Sequence, residues 1–229
     1  VEKQILKIKK LAETIVPKMK NGGRLFYIGA GTSGRLGIVD ASECPPTFSI
    51  EPGQVQGLIA GGNRALRSSV EAAEDQPDAG RQVILDHLVS EADIVVGIAA
   101  SGRTPYVLGG LQQAHDLGAK TVFLCCAPPP ERFSQPSEMS FVDHWIAPQV
   151  GPEVVTGSTR LKAGTATKLV LNMLTTGAMI QTGRVYGNLM VGLQASNHKI
   201  KDRALRIVME ITSCQREQAE VALVEAEGQ

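Results

Sequence analysis

Residues 29–37 read GAGTSGRLG, and this stretch decides the fold. It follows the apolar run 25–28 and precedes the run 38–41, so the order is strand, glycine loop and helix. Such a loop exposes backbone N–H groups and two hydroxyls at a helix N-terminus, where a negatively charged ligand is favoured. The sequence therefore predicts an anion-binding loop, whose candidate ligand-binding residues are Gly31, Thr32, Ser33 and Gly34.

A second glycine loop follows a second buried strand. Residues 93–99 are nearly continuously apolar, as expected in the middle of a parallel sheet, and residues 101–105 read SGRTP. Two Ser/Thr-Gly loops after two strands predict one small phosphorylated ligand that is held from two sides. The candidate binding residues in the second loop are Ser101, Gly102, Arg103 and Thr104.

Strands and helices alternate along most of the chain, which is typical of an α/β fold with ligand loops at the strand C-termini. We predict a doubly wound sheet of about five mostly parallel strands with helices on both faces. Residues 1–198 are expected to form this domain, including an amphipathic N-terminal helix. Residues 199–229 are expected to begin a small helical C-terminal region.

Composition excludes some partners and favours one compartment. The chain has 229 residues, with 23 Lys and Arg against 23 Asp and Glu, which gives no electrostatic case for nucleic acid or an anionic membrane. The longest apolar run, residues 169–180, is too short and too polar for a membrane span. The 4 cysteines form no C-x-x-C pair and predict reduced thiols in a cytoplasmic protein. The 4 scattered histidines argue against a metal site.

Three glutamates are candidates for acid–base chemistry. Glu43 precedes Pro45 and Pro46, which are expected to end the helix and to place Glu43 at a rigid helix-to-loop junction. A helix is predicted to open at residues 61–63, and it would carry Glu71 and Glu74 on one face because they are three residues apart. For each of these carboxylates, solvation at the surface is the simpler interpretation of the local sequence.

Two cations precede a long apolar helix that is predicted over residues 166–182. Helix N-termini normally favour acidic side chains, so Arg160 and Lys162 at this point indicate an anion shared between them. Ser158 adds a hydroxyl to the same segment. Solvation of both cations is an equally good interpretation.

Residues 29–34 also match the dinucleotide-binding pattern G-x-G-x-x-G after a strand. The match is weak, because the following helix meets two prolines and no acidic strand end that could bind a ribose follows about twenty residues later. The loop is rich in hydroxyls, which suits a phosphomonoester better than a pyrophosphate. A P-loop is excluded, since the sequence contains no G-K-[ST].

Longer motifs are far more specific than a glycine loop. They are residues 27–37 (YIGAGTSGRLG), 40–47 (DASECPPT), 58–62 (LIAGG), 71–75 (EAAED), 96–107 (VGIAASGRTPYV), 154–158 (VVTGS), 168–174 (KLVLNML) and 187–191 (GNLMV). From about residue 23 onward the chain resembles the N-acetylmuramic acid 6-phosphate etherases. That family belongs to the sugar isomerase (SIS) superfamily, whose domains bind phosphosugars at the ends of a parallel sheet. Glucokinase regulatory proteins are its non-enzymatic relatives.

The resemblance implies cleavage of the D-lactyl ether of a small phosphosugar by a cytoplasmic homodimer, in amino sugar catabolism and peptidoglycan recycling, with neither a metal nor a redox cofactor. It implies Glu43 as the acid at the leaving lactate and Glu74 as the base at C2, or the reverse, with Glu71 on a sugar hydroxyl. Phosphate or sugar hydroxyls would contact Thr32, Ser33, Ser101 and Thr104 and the N–H groups of Gly34 and Gly102. Phosphate or the lactate carboxylate would contact Ser158, Arg160 and Lys162.

Two other functions remain open at this point. A sugar-phosphate-binding regulator would keep the binding loops but would need no acid–base pair, so the presence of Glu43 and Glu74 counts against it. A sugar-phosphate isomerase would share proton removal at C2 but would need no lactate recognition. The chain departs from the family pattern at residues 128–137, which look longer than usual, and at Gly192, where an Asp is expected. We also expect a further N-terminal segment and a longer helical C-terminus in complete members.

Overall fold

A sheet of five parallel strands forms the centre of the computed structural model, which describes residues 1–127, 139–191 and 198–226. The strands are β1 (Leu25–Gly29), β2 (Val55–Ile59), β3 (Ile94–Ile98), β4 (Lys120–Leu124) and β5 (His144–Ile146). Their order across the sheet is β2-β1-β3-β4-β5. β1 and β3 are therefore neighbours, and Gly29 pairs with Ile98 at their carboxyl ends. The predicted parallel sheet of about five strands is confirmed.

Helices cover both faces of the sheet. The helices of the described chain are α1 (Ile5–Lys20), α2 (Gly31–Phe48), α3 (Pro77–Asp86), α4 (Pro105–Asp116), α5 (Lys162–Gln181), α6 (His198–Thr212) and α7 (Arg216–Glu225). Apolar residues of α1, α2 and α5 pack on one face, and those of α3 and α4 pack on the other. β1 and β3 are buried along their whole lengths between these layers, which explains why their sequences are continuously apolar. The doubly wound architecture is confirmed.

Helix α2 continues through Pro45 and Pro46 to Phe48, so the expectation that the two prolines end it is wrong. Each proline removes one backbone hydrogen bond, but both stand within the last turn, where little helix remains to be broken. The buried side chain of Phe48 holds this turn against the core. Ser49 then closes the helix in the left-handed conformation, and its N–H donates to the Pro45 carbonyl at 2.9 Å. Glu43 consequently lies inside a helix and not at a junction.

The segment between β2 and α3 is not the continuous helix that its sequence predicts. It contains two short 3₁₀ turns, Gly62–Leu66 and Ala73–Asp75. Gly61 and Ala72 adopt left-handed backbone conformations, with φ of 82° and 58°, and each interrupts helical geometry. Glu71 therefore lies in a turn and Glu74 in the second 3₁₀ turn, and the expectation of a shared helix face is wrong.

The C-terminal helices α6 and α7 pack on each other, and the side chains of Gln215 and Gln218 form a polar cap at the start of α7. Across the described ranges, no helix is long and apolar enough to cross a membrane. The departures noted at residues 128–137 and at Gly192 lie outside the described residues.

The amino ends of β1 and β3 are joined by an ion pair between Arg24 and Asp93. Arg24 Nη2 lies 2.8 Å from Asp93 Oδ2, and Arg24 Nε lies 3.1 Å from Oδ1. The backbone N–H groups of Arg24 and Ser90 also donate to this carboxylate, at 2.9 Å each. Burial by itself raises the pKa of Asp93, but these hydrogen bonds outweigh it and hold the pKa below its ordinary value.

We predict that Arg24→Met lowers the free energy of unfolding by about 3–5 kcal/mol, because it leaves the buried Asp93 carboxylate without its cation. The folded pKa of Asp93 is lowered, so the ion pair stabilises the fold above the pKa of an unfolded aspartate, about 3.9, and this contribution is lost on acidification. The difference between wild type and variant should therefore shrink as the pH falls. Urea unfolding at several pH values measures both effects.

Arg81→Met is the matched control, since Arg81 pairs with Asp78 three residues away on an exposed helix surface. It should cost less than about 1 kcal/mol. Equal losses in the two variants would contradict a special role for the buried pair.

Candidate functional site

The two predicted glycine loops lie side by side at one edge of the sheet. β1 leads into α2 through Ala30, and β3 leads into α4 through a loop that ends at Thr104. Because β1 and β3 are adjacent parallel strands, Ser33 and Ser101 both lie at the carboxyl edge. The prediction that the loops are on the same edge is confirmed.

Glycine is required where α2 begins against the end of β1. Gly31 has φ of 52°, a conformation that favours glycine. A Cβ atom on Gly34 would lie 2.6 Å from Ile59 Cγ1 and 2.8 Å from the Gly29 carbonyl oxygen. The first turn of α2 is therefore pressed directly onto the ends of β1 and β2, and its N-terminus points at the carboxyl edge.

The amides at the start of α2 have no side-chain cap. Ala30 occupies the N-cap position, and the first helical N–H groups, at residues 31–33, have no partner within a helix. The Gly34 N–H already donates to the Ala30 carbonyl at 3.2 Å, and the Gly102 N–H donates to Ala99 at 2.8 Å. Both amides therefore have backbone partners in this structure, and their contact with a ligand stays a prediction.

Several hydroxyls at this edge are available to a ligand. Among the described residues, no protein group forms a hydrogen bond with the hydroxyls of Thr32, Ser33, Ser101, Thr104 or Ser158. Together with the uncapped start of α2, the hydroxyls of the first two loops offer the donors that a phosphate needs.

The start of α5 is a third component of the same edge. α5 begins at Lys162, four residues before the predicted start, and a Cβ atom on Gly164 would lie 3.6 Å from Thr32 Cγ2. The Cys126 N–H donates to the Ala100 carbonyl at 3.0 Å, and its thiol faces the Ala163 carbonyl at 3.6 Å. Three helix N-termini therefore converge at this edge.

Glu153 is a residue of this edge that the sequence interpretation passed over. Its carboxylate accepts hydrogen bonds from the N–H groups of Lys162 and Ala163, at 2.9 Å each. Both bonds lower the pKa of Glu153 below its ordinary value, and the bond from Ala163 contributes most. The sequence offered a signal for this contact, because an acidic residue shortly before a helix is favoured near the helix N-terminus. Among the ion pairs of the described residues none joins Glu153 to Arg160 or Lys162, so an anion shared between these two cations stays a prediction.

A cavity of about 310 Å³ opens beside the start of α2. It brings together Gly31, Glu71 and Glu74, and it also includes Arg35, which was not among the predicted site residues. Its remaining lining residues are Ala30, Ala60, Ala65, Ser69, Val70, Ala72 and Ala73. Arg35 could have been found from its position one turn after Gly31 in the same motif. The cavity joins the uncapped start of α2 to two carboxylates.

Arg160 and Lys162 do not line this cavity. They line a separate open groove of about 650 Å³ along α5, together with Leu161, Thr165 and Leu169. Ser158 and Arg103 line neither this groove nor the cavity that contains Glu74.

Glu43 lies along α2 away from the end of the helix that borders the cavity. It is twelve residues beyond Gly31 on the same helix, which corresponds to about 18 Å at 1.5 Å per residue. Its side chain is exposed, and it does not line the cavity that holds Glu71 and Glu74. The two proposed catalytic carboxylates therefore do not line one cavity in this chain.

Buried hydrogen bonds fix the orientation of α2. Asp40 is 6% exposed, and it accepts hydrogen bonds from Tyr27 Oη at 2.9 Å, Asn172 Nδ2 at 2.7 Å and Thr175 Oγ1 at 3.3 Å. Burial raises the pKa of Asp40, although the bonds from Asn172 and Tyr27 oppose this. The network ties α2 to β1 and α5, so that Glu43 stays on an exposed face.

Curated relatives match almost the whole chain. Proteins named N-acetylmuramic acid 6-phosphate etherase from Caldanaerobacter subterraneus and Pasteurella multocida are 53% and 52% identical to it. The first match covers 98% of this chain and 72% of the relative, and the second covers 100% and 74%. The glucokinase regulatory protein N-terminal SIS domain matches residues 7–115.

Solved structures share the fold at low identity. A putative phosphosugar isomerase from Bacteroides fragilis has a TM-score of 0.56 at 20% identity, with 79% of this chain and 82% of that chain covered. A phosphoheptose isomerase from Neisseria gonorrhoeae has a TM-score of 0.55 at 15% identity, with 79% and 89% covered. These similarities show that the chain has the fold of such domains.

The tight contact at Gly34 leads to a prediction with an internal control. Gly34→Ala should lower the free energy of unfolding by about 1–3 kcal/mol, because its Cβ has no room against Ile59 and Gly29. Gly164→Ala, in the first turn of α5, should be neutral or slightly stabilising, because its Cβ would make only ordinary contacts. Urea unfolding of both variants measures the difference, and equal stability would show that α2 is not held against the sheet as described.

Proposed function

The chain belongs to the N-acetylmuramic acid 6-phosphate etherases, which are carbon–oxygen lyases, and we propose that Glu74 and Glu43 are the base and the acid of the reaction. The reaction releases D-lactate and N-acetylglucosamine 6-phosphate from the lactyl ether. The observation that best supports the proposal for Glu74 is the cavity, which connects this carboxylate to the uncapped start of α2.

The ether oxygen is on C3, which is β to the aldehyde carbon of the ring-opened sugar. Glu74 removes the proton from C2, which is α to the carbonyl. The electron pair forms a double bond between C2 and C3, and the bond from C3 to the ether oxygen breaks. Glu43 protonates the departing lactate oxygen, and water then adds at C3. Two carboxylates suit these roles when one is ionised and the other protonated.

The phosphate is proposed to bind at the start of α2, with the hydroxyls of Ser33 and Ser101 as donors. Thr32 and Thr104 extend the same set, and Glu71 lies in the cavity where it can accept a bond from a sugar hydroxyl. The absence of protein partners for these hydroxyls among the described residues supports this arrangement. A dianionic phosphate fits an uncapped helix N-terminus.

We propose a homodimer in which Glu43 of one protomer enters the site of its partner. Glu43 shares the exposed face of α2 with Val39, which is 56% exposed and lies four residues before it. The adjacent helix α5 exposes an apolar row of Leu169, Met173 and Ile180. A second copy on this apolar face would cover the row and would bring in the acid that the cavity itself lacks.

Two further assignments belong to the proposal. We place the enzyme in the cytoplasm, where it would act in amino sugar catabolism and peptidoglycan recycling, because its four cysteines are free thiols of the kind kept reduced there. We also assign residues 1–198 to the SIS domain and residues 199–229 to a helical C-terminal region.

One assay tests the activity against the alternatives. The protein is incubated with N-acetylmuramic acid 6-phosphate, and D-lactate and N-acetylglucosamine 6-phosphate are measured together. Equal amounts of both products are expected. Sugar interconversion without lactate would indicate an isomerase, and binding without turnover would indicate a regulator.

Isotope exchange separates the two carboxylates. Glu74→Gln should abolish both lactate release and exchange of the C2 proton with solvent deuterium, because a glutamine cannot accept that proton. Glu43→Gln should still permit exchange while lactate release falls about 10²–10⁴-fold. Mass spectrometry of the recovered substrate measures exchange. Exchange that survives in Glu74→Gln but disappears in Glu43→Gln would reverse the two roles.

Subunit mixing tests whether the site is shared between protomers. Glu43→Gln and Glu74→Gln proteins should each be inactive, yet an equal mixture that re-forms dimers at random should recover about a quarter of wild-type activity, since half of the dimers contain one intact site. Sedimentation should show a dimer at micromolar concentration. A mixture that stays inactive despite confirmed subunit exchange would mean that both carboxylates act within one chain.

A further inference from the structure

Arg35 is the one cation among the described residues that line the cavity containing Glu71 and Glu74. Its Nε donates to the Leu66 carbonyl at 3.3 Å, and its Nη2 donates to the Ser68 carbonyl at 3.5 Å. Both distances are long for hydrogen bonds that a guanidinium donates, and this group has five N–H donors. Most of its hydrogen-bonding capacity therefore remains available to a ligand.

Arg35 also has no carboxylate partner in the described part of the chain. Seven ion pairs are formed there, and none includes Arg35, although two glutamates line the same cavity. A partly buried guanidinium without a counter-ion is suited to bind an anion that arrives with the ligand.

The substrate of the proposed reaction has two anionic groups at different positions, a phosphate on C6 and a carboxylate on the lactyl group at C3. The start of α2 and the hydroxyl-bearing loops are suited to the first. Arg160 and Lys162 line the other groove, so neither cation faces Glu74. We propose that Arg35 binds the lactyl carboxylate and thereby selects the lactyl ether over sugar phosphates that lack this group.

This contact would orient the substrate as well as select it. A carboxylate can pair with a guanidinium through two parallel hydrogen bonds, which fix its direction. With the phosphate held at one end and the lactyl carboxylate at the other, C2 and C3 are held between two anchors beside Glu74. The positive charge of Arg35 also offsets the repulsion between the substrate and the two cavity glutamates. The inference rests on the proposed function, since the lactyl group belongs to that substrate.

Arg35 also contacts the segment that leads to Glu71, so the test must separate binding of a carboxylate from support of the cavity wall. Binding is measured by calorimetry in the Glu74→Gln background, where the substrate is not consumed. Three ligands are compared: N-acetylmuramic acid 6-phosphate, its lactyl carboxamide, and N-acetylglucosamine 6-phosphate. The carboxamide keeps the shape of the lactyl group without its charge, and the third ligand keeps only the phosphate and the sugar.

Arg35→Met should weaken binding of the lactyl ether by about ten- to hundredfold, the range for a lost hydrogen bond to a charged group. Binding of N-acetylglucosamine 6-phosphate should change by less than about threefold, because it has no lactyl group. Binding of the carboxamide should weaken less than that of the carboxylate, because its amide oxygen accepts a hydrogen bond from the guanidinium but carries no charge. The preference of the parent protein for the carboxylate over the carboxamide should disappear in the variant. Arg67→Met is the matched control. Arg67 is an exposed arginine in the segment that Arg35 contacts, and it does not line the cavity.

Two outcomes would overturn the proposal. Equal weakening of all three ligands by Arg35→Met would mean that Arg35 binds the phosphate or supports the cavity wall. Equal binding of carboxylate and carboxamide by the parent protein would mean that no cation recognises the lactyl group. D-lactate release by the wild-type protein is measured alongside, so that failure of the etherase activity and failure of the Arg35 contact are distinguished.

Discussion

The direct contact between the first turn of α2 and the end of β1 is the constraint on which the rest of the site depends. Gly34 has no room for a side chain between Ile59 and the Gly29 carbonyl, so helix and strand meet backbone to backbone. This contact directs the uncapped amides of α2 at the carboxyl edge of the sheet. It also sets the direction of the helix, and thereby places Arg35 at the cavity and Glu43 far from it.

The helix ends at this edge are not equivalent, and the difference determines where a ligand can bind. At α5, the Glu153 carboxylate already accepts hydrogen bonds from the first amides. At α2, no side chain occupies the corresponding position. A phosphate is therefore favoured at α2 and would have to compete with an internal carboxylate at α5. Of these two helix ends, only the start of α2 is therefore without a side-chain acceptor.

The orientation of α2 determines where the two proposed catalytic carboxylates lie relative to each other. Hydrogen bonds from Tyr27, Asn172 and Thr175 to the buried Asp40 tie α2 to β1 and α5. Glu43 is consequently presented outward beside an apolar surface, while Glu74 remains in the cavity. In the proposed dimer the same surface completes the site, so catalysis and association would depend on one helix pair.

The sequence by itself determined the parallel sheet, the two glycine loops and the family, because these follow from local apolar runs, glycine positions and contiguous motifs. Only the tertiary structure decided that α2 continues through Pro45 and Pro46, since the packing of Phe48 outweighs two lost hydrogen bonds. It also decided that Glu153 caps α5 and that Arg35 lines the cavity with Glu74. Such contacts join residues that are distant in sequence, and no local pattern encodes the distance between them.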